Sequence, residues 1–156
     1  MSVAEPWAQE RTVRLAARLL ESYRRLLGQD LIPAQGDAEA RARALWRAPC
    51  AVVAHGTEAD PILNYGNAAA LALWELDWDA FTRMPSRLTA EAPRREERQR
   101  LLERVARAGY CDDYSGVRVS ASGKRFFIPR ATVWNVVDEK GEPCGQAAAF
   151  ERWEAR

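Results

Sequence analysis

YSGVRVSASGKRFFIPRATVWNVVDEKGEPCGQAAAF, residues 114–150, is the stretch on which the fold turns. YSGVRVSAS leads through Ser122-Gly123 into KRFFIPRATVWNVV; Asp138 to Gly141 turns the chain again, and CGQAAAFERW closes it. Both turns hold glycine and polar residues at hairpin spacing, so three consecutive antiparallel strands are expected. Plain alternation along the middle strand puts Phe126, Ile128, Arg130, Thr132, Trp134 and Val136 on one face. Phe127, Ala131, Val133, Asn135 and Val137 take the other. Pro129 suits a bulge or an edge position, which leaves open whether Trp134 or Asn135 faces the covering helices.

Upstream, RREERQRLLERVARA (94–108) reads as a helix with Leu101, Leu102 and Val105 as its apolar edge and Gly109 as its stop. Its arginines interleave with Glu96, Glu97 and Glu103, a pattern of i,i+4 pairs on a solvated face rather than a nucleic-acid patch. CAVVAH and PILNY read as two short strands around an ADP turn. Asn67 is placed to cap AAALALWEL, and Asp77 or Asp79 to start a short turn through WDAF. Before these, ERTVRLAARLLESYRRLL (10–27) carries Val13, Ala16, Leu20, Tyr23 and Leu27 at helical spacing, and Gly28 ends it. Asp37 can cap a second helix that finishes before Pro49. Residues 1–49 are thus expected to form a helical cap on a core of residues 50–156, in one structural unit.

The 156 residues suffice for one compact domain. A formal charge of +1 sets up no overall field for nucleic acid or an anionic membrane, and neither is expected as a partner. Cys50, Cys111 and Cys144 fit neither a zinc spacing nor a disulfide framework. The N-terminus is charged too early for a signal peptide, and Pro61–Trp74, the longest uncharged run, is too short to span a bilayer. A reducing cytoplasm is the expected location.

Strand, strand, small helices, longer helix, three strands is the element order of a PAS-like domain. That fold class is α+β, a five-stranded antiparallel sheet with helices on one face, here with the N-terminal cap added. HGTEADPILNYGN, WDAFTRMPSRLTAE, YSGVRVSASGKRF, ATVWNVVDEKG and GQAAAF, together with LLESYRRLLGQDL near the N-terminus, resemble the MEKHLA domain family. That family is PAS-related, and it occurs as stand-alone bacterial proteins and at the C-terminus of plant class III homeodomain-zipper factors. The resemblance implies a sensory or regulatory module of the stand-alone bacterial type. It supplies no catalytic triad and no shared ligand. The chain has neither homeodomain nor zipper, so DNA binding is not implied.

His55 stands near Glu58 and Asp60 in sequence. A carboxylate can orient an imidazole for acid–base work, but the favoured reading is that His55 and Thr57 organise the turn between the first two strands. Metal binding is not expected, because no second histidine exists and the cysteines are remote. Haem is disfavoured: the long helix has no histidine, and Cys111 is a poor substitute. LOV-type flavin is disfavoured as well. The Asn-Cys-Arg motif is absent, although Gln146 resembles the flavin-contacting glutamine of those domains. Polar residues of the strands, namely Asn64, Tyr65, Tyr114, Arg118, Arg125, Trp134, Asn135 and Gln146, are the candidate ligand contacts. Arg118 and Arg125 can meet across the hairpin or bind an anion, since a guanidinium offers carboxylates a planar fork. Ala147 to Ala149 leave volume for a ligand or for a closely packed helix.

These features favour a non-enzymatic sensor that binds a small molecule, a protein partner, or both. The N-terminal helix is its expected dimer or partner surface, unless its stripe covers the sheet. That reading expects a cavity lined by the helices and the last three strands, with His55 outside it. A cofactor-independent enzyme using His55 instead expects His55 on an enclosed cavity. A pure interaction module expects no cavity at all.

Overall fold

A computed structural model of the chain describes residues 5–90 and 92–156, without the side chains of 92–95, 98 and 102. The expected roles of Leu102 and of Arg94, Arg95 and Arg98 therefore lie outside the described residues. The helices are α1 (Glu10–Leu27), α2 (Ala38–Trp46), α3 (Ala68–Trp74), α4 (Trp78–Phe81) and α5 (Ala92–Ala108). The strands are β1 (Ala51–His55), β2 (Leu63–Gly66), β3 (Tyr110–Val119), β4 (Arg125–Val137), β5 (Pro143–Phe150) and the two-residue β6 (Glu154–Ala155). The sheet runs β2-β1-β5-β4-β3 and every pairing is antiparallel. The chain end folds back so that β6 pairs with Phe126 and Phe127 of β4, a short sixth strand beyond the five expected.

The helix starts follow the expected chemistry. Asp37, Asn67 and Asp77 each accept a hydrogen bond from the backbone N–H three residues on, at 2.8–3.1 Å, which satisfies one orphan donor of the first turn. Gly28 ends α1 in the left-handed region at φ 75°, its N–H donating to Arg24 O.

The bulge at Pro129 settles the middle strand. Gly116 pairs with Ile128 and Tyr114 with Ala131, so β4 spends three residues where β3 spends two. That extra residue inverts the alternation. Phe126 and Ile128 before the bulge share a face with Ala131 and Val133 after it, while Trp134 and Val136 point to the other face. The single face from Phe126 to Val136 that uninterrupted alternation predicts is replaced by this split.

Both faces of the sheet are covered. Helices α3, α4 and α5 lie on one, as expected. The N-terminal cap lies on the other, where Ala16, Leu19, Leu20 and Tyr23 of α1 pack on Val52, Ala54, Trp134, Val136, Ala147 and Ala149. This explains why β1 reads as a continuous apolar run: it is buried on both sides. The apolar stripe of α1 thus packs on the sheet, the alternative that the sequence left beside a dimer or partner surface. Trp134 Nε1 donates to Leu19 O at 3.2 Å, Val137 N–H donates to Ser22 Oγ at 3.0 Å, and Arg18 meets Glu139 at 2.9 Å. No described helix is long and apolar enough to cross a membrane.

Glu75, just past α3 in the left-handed region at φ 62°, ties that helix to the β3–β4 hairpin. Its carboxylate accepts from the Ser120 and Ser122 hydroxyls and faces Lys124 Nζ at 3.6 Å. These contacts, the Ser120 hydroxyl first, push its pKa down to about 2 from an ordinary 4.5. A depressed carboxyl stabilises the fold above its ordinary pKa, and the contribution disappears as pH falls towards about 2. Glu75→Gln should therefore lower the thermal midpoint at pH 7, and the gap to the parent should narrow steadily below pH 4.5 in a melting series.

Candidate functional site

Between the sheet and helices α3–α5 lies a cavity of about 70 Å³. Its sheet wall is built from Val53 and His55 of β1, Leu63 of β2, Tyr114 and Arg118 of β3, Ile128, Ala131 and Val133 of β4, and Gln146, Ala148 and Phe150 of β5. Trp74, Phe81 and Leu101 close it from α3, α4 and α5, with Ser86 and Thr89 from the turn between α4 and α5. Most of this lining is apolar, with a few polar groups set into it, the usual make-up of a small-molecule site.

Of the residues expected at a ligand site, Tyr114, Arg118 and Gln146 come together here, and Asn135 stands one hydrogen bond behind them. Gln146 Nε2 donates to Asn135 Oδ1 at 3.0 Å, and Asn135 Nδ2 donates to Val105 O of α5 at 2.9 Å. A hydrogen-bonded path thus runs from the cavity wall to the covering helix. The other four expected residues lie elsewhere. Trp134 and Tyr65 are fully buried on the α1 side, Tyr65 edge-on to Trp78 with ring centroids 5.8 Å apart. Burial pushes the Tyr65 phenol well above its ordinary pKa. Asn64 lines a depression beside Arg14 and Arg18 of α1. Arg125 is exposed and does not meet Arg118; it lines an outer depression with Phe127 and Arg156.

His55 is in the cavity wall, not outside it. Its Nδ1 lies 2.9 Å from Gly56 O, and β1 pairs it with Gln146. Gly145 makes this approach possible, because a Cβ there would fall 2.1 Å from His55 O. The carboxylates that sequence places beside His55 serve other groups. Glu58 Oε1 accepts from Ile62 N–H at 3.1 Å and closes the β1–β2 turn, while Asp60 meets Arg87 at 3.2 Å.

The apolar half of the lining had little to announce it in sequence. Trp74, Phe81, Leu101 and Phe150 look like ordinary core residues, and Ser86 and Thr89 like loop. The alanine run was the one hint of spare volume. The structure divides it: Ala147 and Ala149 pack in the core under α1, Ala148 packs beside Val133 on the other face, and Ala147 and Ala148 both border the cavity.

A cavity of about 150 Å³ accommodates benzene. The cavity here has about half that volume. None of the three cysteines is in its lining. Burial raises the thiol pKa of Cys50 and Cys144, and Cys111 hydrogen-bonds with Arg104 and Asp113. Among the described residues, no three His, Cys, Asp or Glu side chains gather as a metal site.

The family model described as MEKHLA domain matches residues 13–155. The chain belongs to the MEKHLA family. The matched span begins inside α1, so the MEKHLA unit takes in the far-face helix as well as the PAS-like core. Homeobox-leucine zipper protein HOX10 of Oryza sativa, subspecies indica and japonica, is 25% identical over 140 residues, 89% of this chain. The chain spans 17% of the length of these relatives. Solved structures share the fold at low identity. A PAS domain from Colwellia psychrerythraea matches with TM-score 0.62 and 14% identity, over 70% of this chain and 90% of its own. An RNA-binding light-oxygen-voltage receptor matches with TM-score 0.58 and 16% identity, over 69% of this chain and 30% of its own. A light-oxygen-voltage domain studied with a flavin analogue matches with TM-score 0.58 and 12% identity, over 74% and 83%. The MEKHLA chain therefore has the fold of PAS domains.

Proposed function

We propose that this MEKHLA chain is a sensory or regulatory module that holds a small molecule between its sheet and helices and performs no catalysis. The supporting observation is the cavity, whose wall draws on five strands and on α3, α4 and α5 at once. A ligand there touches both layers, so it favours whichever arrangement of helices on sheet fits it better. Such differential affinity is the physical requirement for a signal. The Gln146–Asn135–Val105 path gives the wall a direct connection to α5. With the α1 stripe occupied by the sheet, output to a partner protein passes through other surfaces, α5 first among them. We place the module in the cytoplasm, where its three free thiols stay reduced.

One observation favours the enzymatic alternative: His55 borders the cavity. The assistance it needs from Glu58 or Asp60 is directed elsewhere. A filled interaction module is disfavoured by the cavity itself.

Methyl NMR tests the proposal with Ala148→Leu, which fills the cavity with three further carbons at an overpacking cost of about 1–3 kcal/mol. Small fragments should move the Ile128, Ala131 and Val133 methyls of the parent and leave those of the folded variant still. Equal responses in both proteins would refute a site in this cavity.

A further inference from the structure

Arg118 is 8% exposed, and its environment is unusual for a buried cation. Its Nη1 donates to Val117 O at 3.1 Å, its Nη2 donates to the Tyr114 hydroxyl, and its guanidinium lies 5.1 Å from the centre of the Tyr114 ring. Both acceptors are neutral, and a guanidinium has five N–H donors. Among the described residues, no carboxylate comes within ion-pair distance of it. Buried charges are ordinarily paired, because removing one from water without a counter-charge costs far more than burying a neutral group.

The backbone is shaped to keep this pair together. Gly116 lies between the two residues, and a Cβ there would fall 2.8 Å from Tyr114 Oη and 3.5 Å from Arg118 Nη1. The missing side chain leaves a notch that the phenol and the guanidinium share. Since Tyr114 accepts from Arg118, its own hydroxyl proton is left to donate. Spare guanidinium protons and one phenolic proton therefore belong to the same wall of the cavity, and Trp74, Phe81, Ile128 and Phe150 provide apolar surface around them.

We infer that the ligand is a short-chain monocarboxylate, its two oxygens taken by Arg118 and Tyr114 and its hydrocarbon body set against the apolar lining. The inference rests on the small-molecule reading above and specifies its chemistry. Fork geometry matches a planar carboxylate, whereas a phosphate or sulfate needs further donors where this lining is hydrocarbon. About half the volume of a benzene-sized cavity limits the body to roughly two to four carbons.

The test is a methyl NMR titration of the full chain with sodium propionate, propionamide and xenon, at constant ionic strength. Propionate should move the Ile128 and Ala131 methyls, and propionamide should bind about 10- to 100-fold more weakly. Arg118→Gln should lose a similar factor for propionate and retain the response to xenon, which shows that its cavity is intact. Tyr114→Phe keeps the ring and should weaken propionate several-fold. Without ligand, Arg118→Met should raise the unfolding midpoint, the opposite sign from a purely structural arginine. Equal affinity for propionate and propionamide, or an Arg118→Gln variant that binds propionate as the parent does, would overturn the carboxylate assignment. So would a response to xenon alone, although the cavity reading would survive it. If neither xenon nor propionate moves these methyls, the cavity reading fails as well.

Discussion

Replacing Asn67 by alanine should destabilise the fold by about 4 kcal/mol, measured by urea unfolding, which is large for a side chain of this size. Asn67 is completely buried, and its amide joins three segments. Oδ1 accepts from Val52 N–H at 3.0 Å and from Ala70 N–H at 3.1 Å, while Nδ2 donates to Leu45 O at 3.1 Å and Cys50 O at 2.8 Å. The last residues of α2, the start of β1 and the first turn of α3 are thus all fixed by one side chain. Alanine leaves four backbone groups without that partner, and each buried orphan costs about 1–3 kcal/mol before relaxation. Asn67→Asp separates the two functions. It keeps the acceptor for Val52 and Ala70 but turns a carboxylate oxygen towards two carbonyls. The folded state therefore raises the pKa of the new carboxyl group. A raised pKa means that the neutral form, which can donate, supports the fold at low pH and that stability is lost as pH rises. Asn67→Asp should be most stable relative to the parent near pH 4 and least stable at pH 8. Parallel pH profiles for the two proteins would show that the carbonyl contacts carry no weight.

Trp134→Ala should cost about 3–5 kcal/mol in the same measurement. The indole is fully buried under α1, meets Tyr23 edge-on with centroids 5.0 Å apart, and donates to Leu19 O. Its removal opens a cavity and takes away the second hydrogen bond of the Leu19 carbonyl, at the main contact between cap and sheet. The second readout is local. Amide exchange along α1 should accelerate by more than along α3, which packs on the opposite face. Uniform acceleration throughout the chain would mean that α1 has no distinct attachment to the sheet. Trp134→Phe retains most of the apolar area and should recover more than half of the loss.

Both predictions show what could be read in the chain and what could not. The three Asx caps were legible because capping is local: an acidic or amide side chain accepts from an N–H three residues on wherever the chain lies in space. The last three antiparallel strands were legible from the two hairpin turns, and the five-stranded sheet from the PAS-like succession of elements. The side to which a strand residue points was not. Side-chain direction alternates with each residue, so one bulge at Pro129 moves everything after it to the opposite face. Trp134 thereby went beneath α1, and Asn135 went behind the cavity wall. Tyr65 was misleading for a related reason. The far face of the sheet is a second core under the N-terminal cap, so a polar aromatic residue in a strand need not face a ligand. Arg118 and Arg125 are indistinguishable in the sequence, yet pairing opposite Phe126 turns the first inward and the hairpin end leaves the second in solvent. His55 reached the cavity because Gly145 lets β5 pass against its carbonyl, a contact made across 90 residues of chain that no local pattern encodes.

A crystal structure of the chain soaked in propionate tests the cavity most directly. Density for a carboxylate within hydrogen-bond reach of Arg118 and Tyr114, with its carbon tail towards Trp74, is the result expected. A wall of side chains that leaves no space between sheet and helices, with propionate found only on the surface, would contradict it.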